Sequence, residues 1–120
     1  MGNEFSGVVE AIGQGVRQFR TGDEVYVRVH KDRLGAFAEY AVAEEAHVSK
    51  KPLNLSFEEA AGVPLVALTS WQALHEELGI RPGYKLFIPA GAGGIGSIRF
   101  NSQKSLVRML RPRHRALGMT

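Results

Sequence analysis

The 120-residue chain contains no cysteine. That excludes a disulfide framework, a cysteine nucleophile and any thiolate metal site. Aromatic residues make up only 8%, and no apolar run approaches the ~20 residues that a membrane-spanning helix needs. The opening residues 1–7 have neither the basic nor the apolar region of a secretory leader, so the cytoplasm is the expected compartment. Acid is missing from one end. Residues 97–120 hold six Lys/Arg and no Asp or Glu, net +6, whereas residues 1–96 hold nine and twelve, net −3. The overall charge of +3 therefore describes the tail and not the body.

What is present reads first as β-structure. Residues 5–13 are rich in strand formers and end at a glycine, which predicts a strand. Gly13, Gly15, Thr21, Gly22 and Asp23 supply turn chemistry. Residues 24–30 place Val25, Val27 and Val29 on one face, the alternation of a half-buried antiparallel strand. Residues 36–43, with Phe37 and Tyr40, predict another strand, and His47–Ser49 one more. Closely spaced strands of this kind suggest a sandwich or small barrel.

At Ser56 the period changes. Ser56-Phe57-Glu58-Glu59 has the spacing of a capping box, which predicts a short helix ending near Gly62. Pro64 suits the first turn of a second helix. Leu68, Trp71, Leu74 and Leu78 recur at three and four, which places them on one helical face, with Gly79 a natural C-terminal cap. Residues 84–89 form a short apolar run that fits a parallel strand covered on both sides. The whole predicts an α+β chain.

Gly91, Gly93 and Gly96 follow that run with the spacing G-x-G-x-x-G. A phosphate-binding turn uses such glycines to turn tightly, to admit the pyrophosphate and to pack helix on strand. The following helix start offers free N–H groups to the anion. Glycine loops are common, so the motif by itself is weak. The acidic ribose partner about 20 residues later is also absent, since residues 97–120 hold no acid.

Taken in order, several motifs together resemble the medium-chain dehydrogenase/reductase superfamily, in particular its zinc-independent quinone-reductase-like branch. They are Gly2-Asn3-Glu4-Phe5-Ser6-Gly7, Phe19-Arg20-Thr21-Gly22-Asp23-Glu24-Val25-Tyr26, Gly35-Ala36-Phe37-Ala38-Glu39-Tyr40, Lys51-Pro52, Leu55-Ser56-Phe57-Glu58-Glu59, Leu68-Thr69-Ser70, Pro82-Gly83 and the glycine loop. The resemblance covers residues 2–96. It implies part of a chaperonin-10-like (GroES-like) β-barrel over 1–55, then over 56–96 connecting helices and the first helix, strand and glycine loop of a Rossmann fold. A divergent tail fills 97–120.

The resemblance also implies a chemistry: hydride transfer from NADPH, with NADH not excluded, to a quinone or α,β-unsaturated carbonyl. Gly91, Ala92, Gly93, Gly94, Ile95 and Gly96 match the pyrophosphate loop. Thr69 matches a threonine near the nicotinamide, and Asn3 and Tyr26 fall where side chains line the cleft beside it. For Tyr26, a sheet residue with a wet hydroxyl is an equal reading. Zinc is not expected. Asn3 stands where zinc-dependent relatives carry histidine, and His30, His47, His75 and His114 share no metal-ligand spacing. His75 is expected to be a surface or packing residue of its helix. Family members are often homodimers.

Both ends depart from the family. The family's β-domain begins before the segment that matches residue 2, so the chain is expected to lack the first barrel strands and to be poorly stable or to self-associate through uncovered edges. After Gly96 the family continues with a pattern like Gln-Leu-Ala-Lys-x-x-Gly-Ala-x-Val-x-x-Thr. Codons that encode Phe100–Pro112 can be chosen so that a shifted frame reads Gln-Leu-Ala-Lys-Val-Ser-Gly-Ala-Tyr-Val-Ala-Thr. The tail is therefore expected to be out of frame from about Ser97–Phe100. The rival reading is a non-catalytic binding fragment or pseudoenzyme whose five arginines within 99–115 bind nucleic acid. Sparse aromatic interleaving and Pro112 weigh against it.

Overall fold

The computed structural model describes residues 2–32 and 35–97; the shifted frame and the basic patch expected over 98–120 lie outside the described residues. The chain divides into two compact units between Leu68 and Thr69. The first is built on an antiparallel sheet in the order β1 (Glu4–Val8), β2 (Glu24–Arg28), β3 (Val48–Lys50). Glu4 pairs with Arg28 and Val8 with Glu24, while Val25 and Val27 pair with Lys50 and Val48.

The alternation read in the sequence sets the two faces of this sheet. Val25, Val27 and Val29 are 5%, 1% and 6% exposed, and Phe5, Val9, Phe19, Ala43 and Val48 pack on them. The opposite face carries polar side chains that hold the next segment. The Ser6 hydroxyl donates to the Phe57 carbonyl, and the Glu4 carboxylate accepts from the backbone N–H of Leu65 at 2.6 Å. Lys51 is buried but fully partnered, as a buried charge must be. Its ammonium donates to the carbonyls of Leu55 (2.6 Å) and Pro52 (3.3 Å), pairs with Glu24 at 3.1 Å and lies 5.2 Å from the Phe57 ring centre.

Helix α1 (Phe57–Ala61) starts as its sequence dictates. The Ser56 hydroxyl accepts from the Glu59 N–H at 3.1 Å, and the Glu59 carboxylate accepts from the Ser56 N–H at 2.9 Å. Helix α2 (Pro64–Trp71) begins at its proline and runs into a π-helical turn over Gln72–Glu77. Gly79 closes it at φ 53°, a left-handed value that costs glycine little.

Three expectations are corrected. Residues 36–43 form no strand; Phe37, Tyr40 and Val42 are exposed, and no described backbone group pairs with 37–43. Residues 84–89 likewise join no ladder, and Phe87 is exposed. Strand propensity needs a neighbour to pair with, and neither run has one among the described residues. The single helical face is also broken by a π turn between Trp71 and Leu78, and of its four residues only Leu74 is buried. The π turn, marked by the Leu78 N–H donating to the Ala73 carbonyl, adds a residue and rotates the positions after it by about 100°. His75 packs on Trp71, ring centres 4.0 Å apart, as expected of a packing residue.

Removing the capping hydroxyl with Ser56→Ala is expected to lower the unfolding free energy by about 1 kcal/mol. A backbone hydrogen bond and the Ser56 hydroxyl hold the Glu58 carboxyl below its usual pKa. A carboxyl depressed in the folded state stabilises above the ordinary carboxylate range and loses that contribution as pH falls through it. The Ser56→Ala deficit is therefore expected to be smaller at pH 3 than at pH 7, read by urea denaturation.

Candidate functional site

In the first unit, Tyr26 lies on the β1–β2 ladder and Asn3 just before β1, apart from it. The Asn3 carbonyl accepts from the Val29 N–H at 3.1 Å and from the Arg28 guanidinium at 2.8 Å. Tyr26 is half-buried in β2, opposite Ser6 and Ser49. Three ladder steps separate Tyr26 from the Val29 position that Asn3 faces, about 10 Å at ~3.4 Å per residue. Arg28 was not marked by any motif. Its role at the end of the ladder comes from register: it stands opposite Glu4 and donates to both Asn3 and Val29, the latter at 2.7 Å.

In the second unit, Thr69 is half-buried on α2. Its neighbour Ser70 is 1% exposed, and the Ser70 hydroxyl donates to the Ile95 carbonyl at 3.3 Å. That bond ties the helix to the glycine loop. Ser70 sits within a family motif, yet its residue type alone assigns it no role. A serine at a helix position too buried for water is the signal that would have found it.

The loop itself turns at Ala90, not at the first glycine. Ala90 has φ 55°, and its carbonyl accepts from the Gly93 N–H at 3.0 Å. A left-handed alanine costs about 1–2 kcal/mol and persists only where surrounding structure holds it. Gly91 would tolerate a side chain, with nothing within 4 Å of an added Cβ. At Gly96 the same atom would meet the Ala90 oxygen at 2.5 Å and the Gly91 Cα at 2.7 Å. So the third glycine is the one required for close packing. Residues 94–97 form the start of a helix, with the Ser97 N–H donating to the Gly93 carbonyl at 2.8 Å. Gly91–Ile95 are exposed and Gly96 is buried, so the loop presents its backbone to solvent around one fixed contact.

Residues 1–53 match the family model described as the alcohol dehydrogenase GroES-like domain. The chain is 41% identical over 103 residues to a 2-methylene-furan-3-one reductase from Solanum lycopersicum, covering 81% of this chain and 26% of that protein. It is 36% identical over 103 residues to an NADPH-dependent alkenal/one oxidoreductase of chloroplasts from Arabidopsis thaliana, again covering 81% and 26%. Among solved structures, a quinone oxidoreductase from Pseudomonas syringae pv. Tomato DC3000 superposes with a TM-score of 0.79 at 36% identity. The match covers 91% of this chain and 33% of that one. The chain thus belongs to the medium-chain dehydrogenase/reductase superfamily, with a GroES-like segment followed by helices and a glycine loop. Its relatives and neighbours include enone and quinone oxidoreductases. It spans about a quarter to a third of their length. Among the described residues no helix is long and apolar enough to cross a membrane.

Gly96→Ala is expected to break the loop, while Gly91→Ala leaves it intact. Amide hydrogen exchange reads the difference: Gly93 and Ser97 in Gly96→Ala should exchange faster by about tenfold or more, and in Gly91→Ala should be unchanged.

Proposed function

We propose that the chain carries the nicotinamide-side β-segment and the pyrophosphate turn of an NADPH-dependent, zinc-independent reductase of quinones or α,β-unsaturated carbonyls. In this reading residues 1–55 belong to the GroES-like domain, and 56–96 supply connecting helices and the start of a Rossmann domain. The observation that carries it is the Gly96 contact with Ala90 and Gly91, a cradle that any side chain at 96 would fill. Backbone N–H groups of Gly91, Ala92, Gly94 and Ile95, at the start of the helical turn over 94–97, are the donors that would hold the pyrophosphate, the Gly93 N–H being taken by the Ala90 carbonyl. Ser70 braces that loop through Ile95.

When bound, NADPH supplies the hydride. The chain's own part is to orient and to exclude water. Thr69, Asn3 and Tyr26 take the nicotinamide side by family position, and none is a strong acid. The preference for NADPH over NADH rests on family resemblance and on the NADPH dependence in the name of the Arabidopsis relative. Zinc does not fit the donor set. Asn3 offers a neutral amide where zinc-dependent relatives carry histidine, and the chain has no thiolate. Among the described residues no three His, Asp or Glu converge.

Fluorescence titration with NADPH tests the reading. Saturable binding weaker than low micromolar, abolished by Gly96→Val, is the expected result. A low-micromolar dissociation constant would show a complete site, and no saturation at millimolar NADPH would remove the nucleotide reading. Stoichiometric zinc retained through dialysis would overturn zinc independence. NADPH oxidation by a quinone, followed optically, tests residual turnover.

A further inference from the structure

A hydride added to the β-carbon of an α,β-unsaturated carbonyl drives the C=C electron pair onto the carbonyl oxygen, and the negative charge that collects there needs a partner. None of Asn3, Tyr26 and Thr69 carries positive charge. Arg28 does. It ends β2, two residues beyond Tyr26 and therefore on the same face of the sheet, about 7 Å along the strand at ~3.4 Å per residue. Its half-buried guanidinium is fixed beside Asn3: Nη1 donates to the Asn3 carbonyl at 2.8 Å and to the Val29 carbonyl at 2.7 Å. Both bonds come from one nitrogen, so the N–H groups of Nη2 and Nε are not spent on those two carbonyls. Carbonyls orient the cation without neutralising it. Glu4, opposite Arg28 on the ladder, gives its carboxylate to the Leu65 N–H instead, and Arg28 pairs with no carboxylate among the described residues.

We propose, resting on the reductase reading above, that Arg28 is a catalytic residue: its unspent N–H groups take the carbonyl oxygen of the substrate and hold the charge that develops on it. The C–H bond of the dihydronicotinamide breaks and one forms at the β-carbon, which moves two electrons to the substrate and leaves the dinucleotide oxidised. The displaced C=C pair becomes an enolate whose oxygen lies on Arg28. A solvent proton then adds at the α-carbon, and the C=O double bond re-forms. Arg28 keeps its own protons throughout, since a guanidinium does not give them up in a protein. Its planar fork offers an oxygen two directed N–H groups, which a point charge does not. A metal ion would polarise the carbonyl as a Lewis acid, but the donor set of this chain does not fit one. A cation held by two backbone carbonyls takes that task without a metal.

The probe is 4-nitrophenol, whose phenolate carries an enolate-like oxygen and whose ionisation is followed by its yellow colour. With the full 120-residue chain, the bound probe should ionise more readily than the free one, and saturably. Arg28→Met should weaken phenolate binding about tenfold. Arg28→Lys, which keeps the charge, should recover part of that loss. Phenylglyoxal gives a readout that stands even if the methionine variant fails to fold. Peptide mapping of the unsubstituted chain should show Arg28 protected by the probe, while exposed Arg17 reacts as before. The proposal fails if no saturable ionisation is seen, if Arg28→Met binds the probe as well as the parent chain, or if Arg28 gains no protection. It also fails if inorganic phosphate displaces the probe at equal concentration, since that marks a phosphate site. NADPH titration separates the two readings. No NADPH binding with the phenolate site intact would remove the reductase reading and with it the catalytic role. NADPH binding with Arg28 indifferent to the probe would remove Arg28 alone.

Discussion

A backbone amide or carbonyl withdrawn from water must find a partner, and in this chain the β1–β2 ladder is where that requirement is met first. Its register places Val25, Val27 and Val29 together beneath Phe5 and Val48. The same register turns Glu4 and Ser6 to the other face, where they reach Leu65 and the Phe57 carbonyl. Slipping the ladder by one residue would reverse both faces at once, burying Glu4 and Tyr26 and exposing the valines. Lys51 then clamps the result, joining β2 to the turn before α1 through Glu24, Leu55 and Pro52.

The glycine loop shows a different kind of constraint, one of space. Three glycines fit the expected spacing, but the structure asks for only one of them sterically. Gly96 is pressed against Ala90 and Gly91, whereas Gly91 has open space around it. The left-handed residue of the turn is Ala90 and none of the three glycines of the motif. An alanine in that conformation is held by its surroundings, including the Gly93 N–H on its own carbonyl. Ser70 adds a further tie to Ile95, so the loop is shaped by packing as much as by its composition.

Much of the local structure was legible from the residues. Valine at every second position marks a half-buried strand because side chains alternate across a sheet, and Val25–Val29 do so. Ser56 with Glu59 marks a helix start because each satisfies the other's backbone N–H. Both signals are complete within a few residues. The runs at 36–43 and 84–89 carried equally good strand composition, yet neither pairs, since a ladder needs a second strand that composition does not supply. The face of Leu68, Trp71, Leu74 and Leu78 was drawn on an ideal helix, and the π turn after Trp71 dissolved it. In the glycine loop, the close approach that the spacing implies is seen at Gly96. Ala90, Ser70 and Arg28 were not legible, because their roles come from what lies across from them.

The sequence by itself determined the elements whose signals are local: the alternating strand β2, the capped helix α1, the proline start of α2 and the glycine that ends its π turn. It also carried the ordered motifs that mark the family. Only the tertiary structure decided which of the apolar runs find partners, which glycine is indispensable, and how a cysteine-free, acid-bodied chain buries Lys51. The physical reason is the same in each case. Propensity, capping and turn chemistry act between residues close in sequence, whereas pairing, close approach and the neutralisation of a buried charge are settled by residues that only folding brings together.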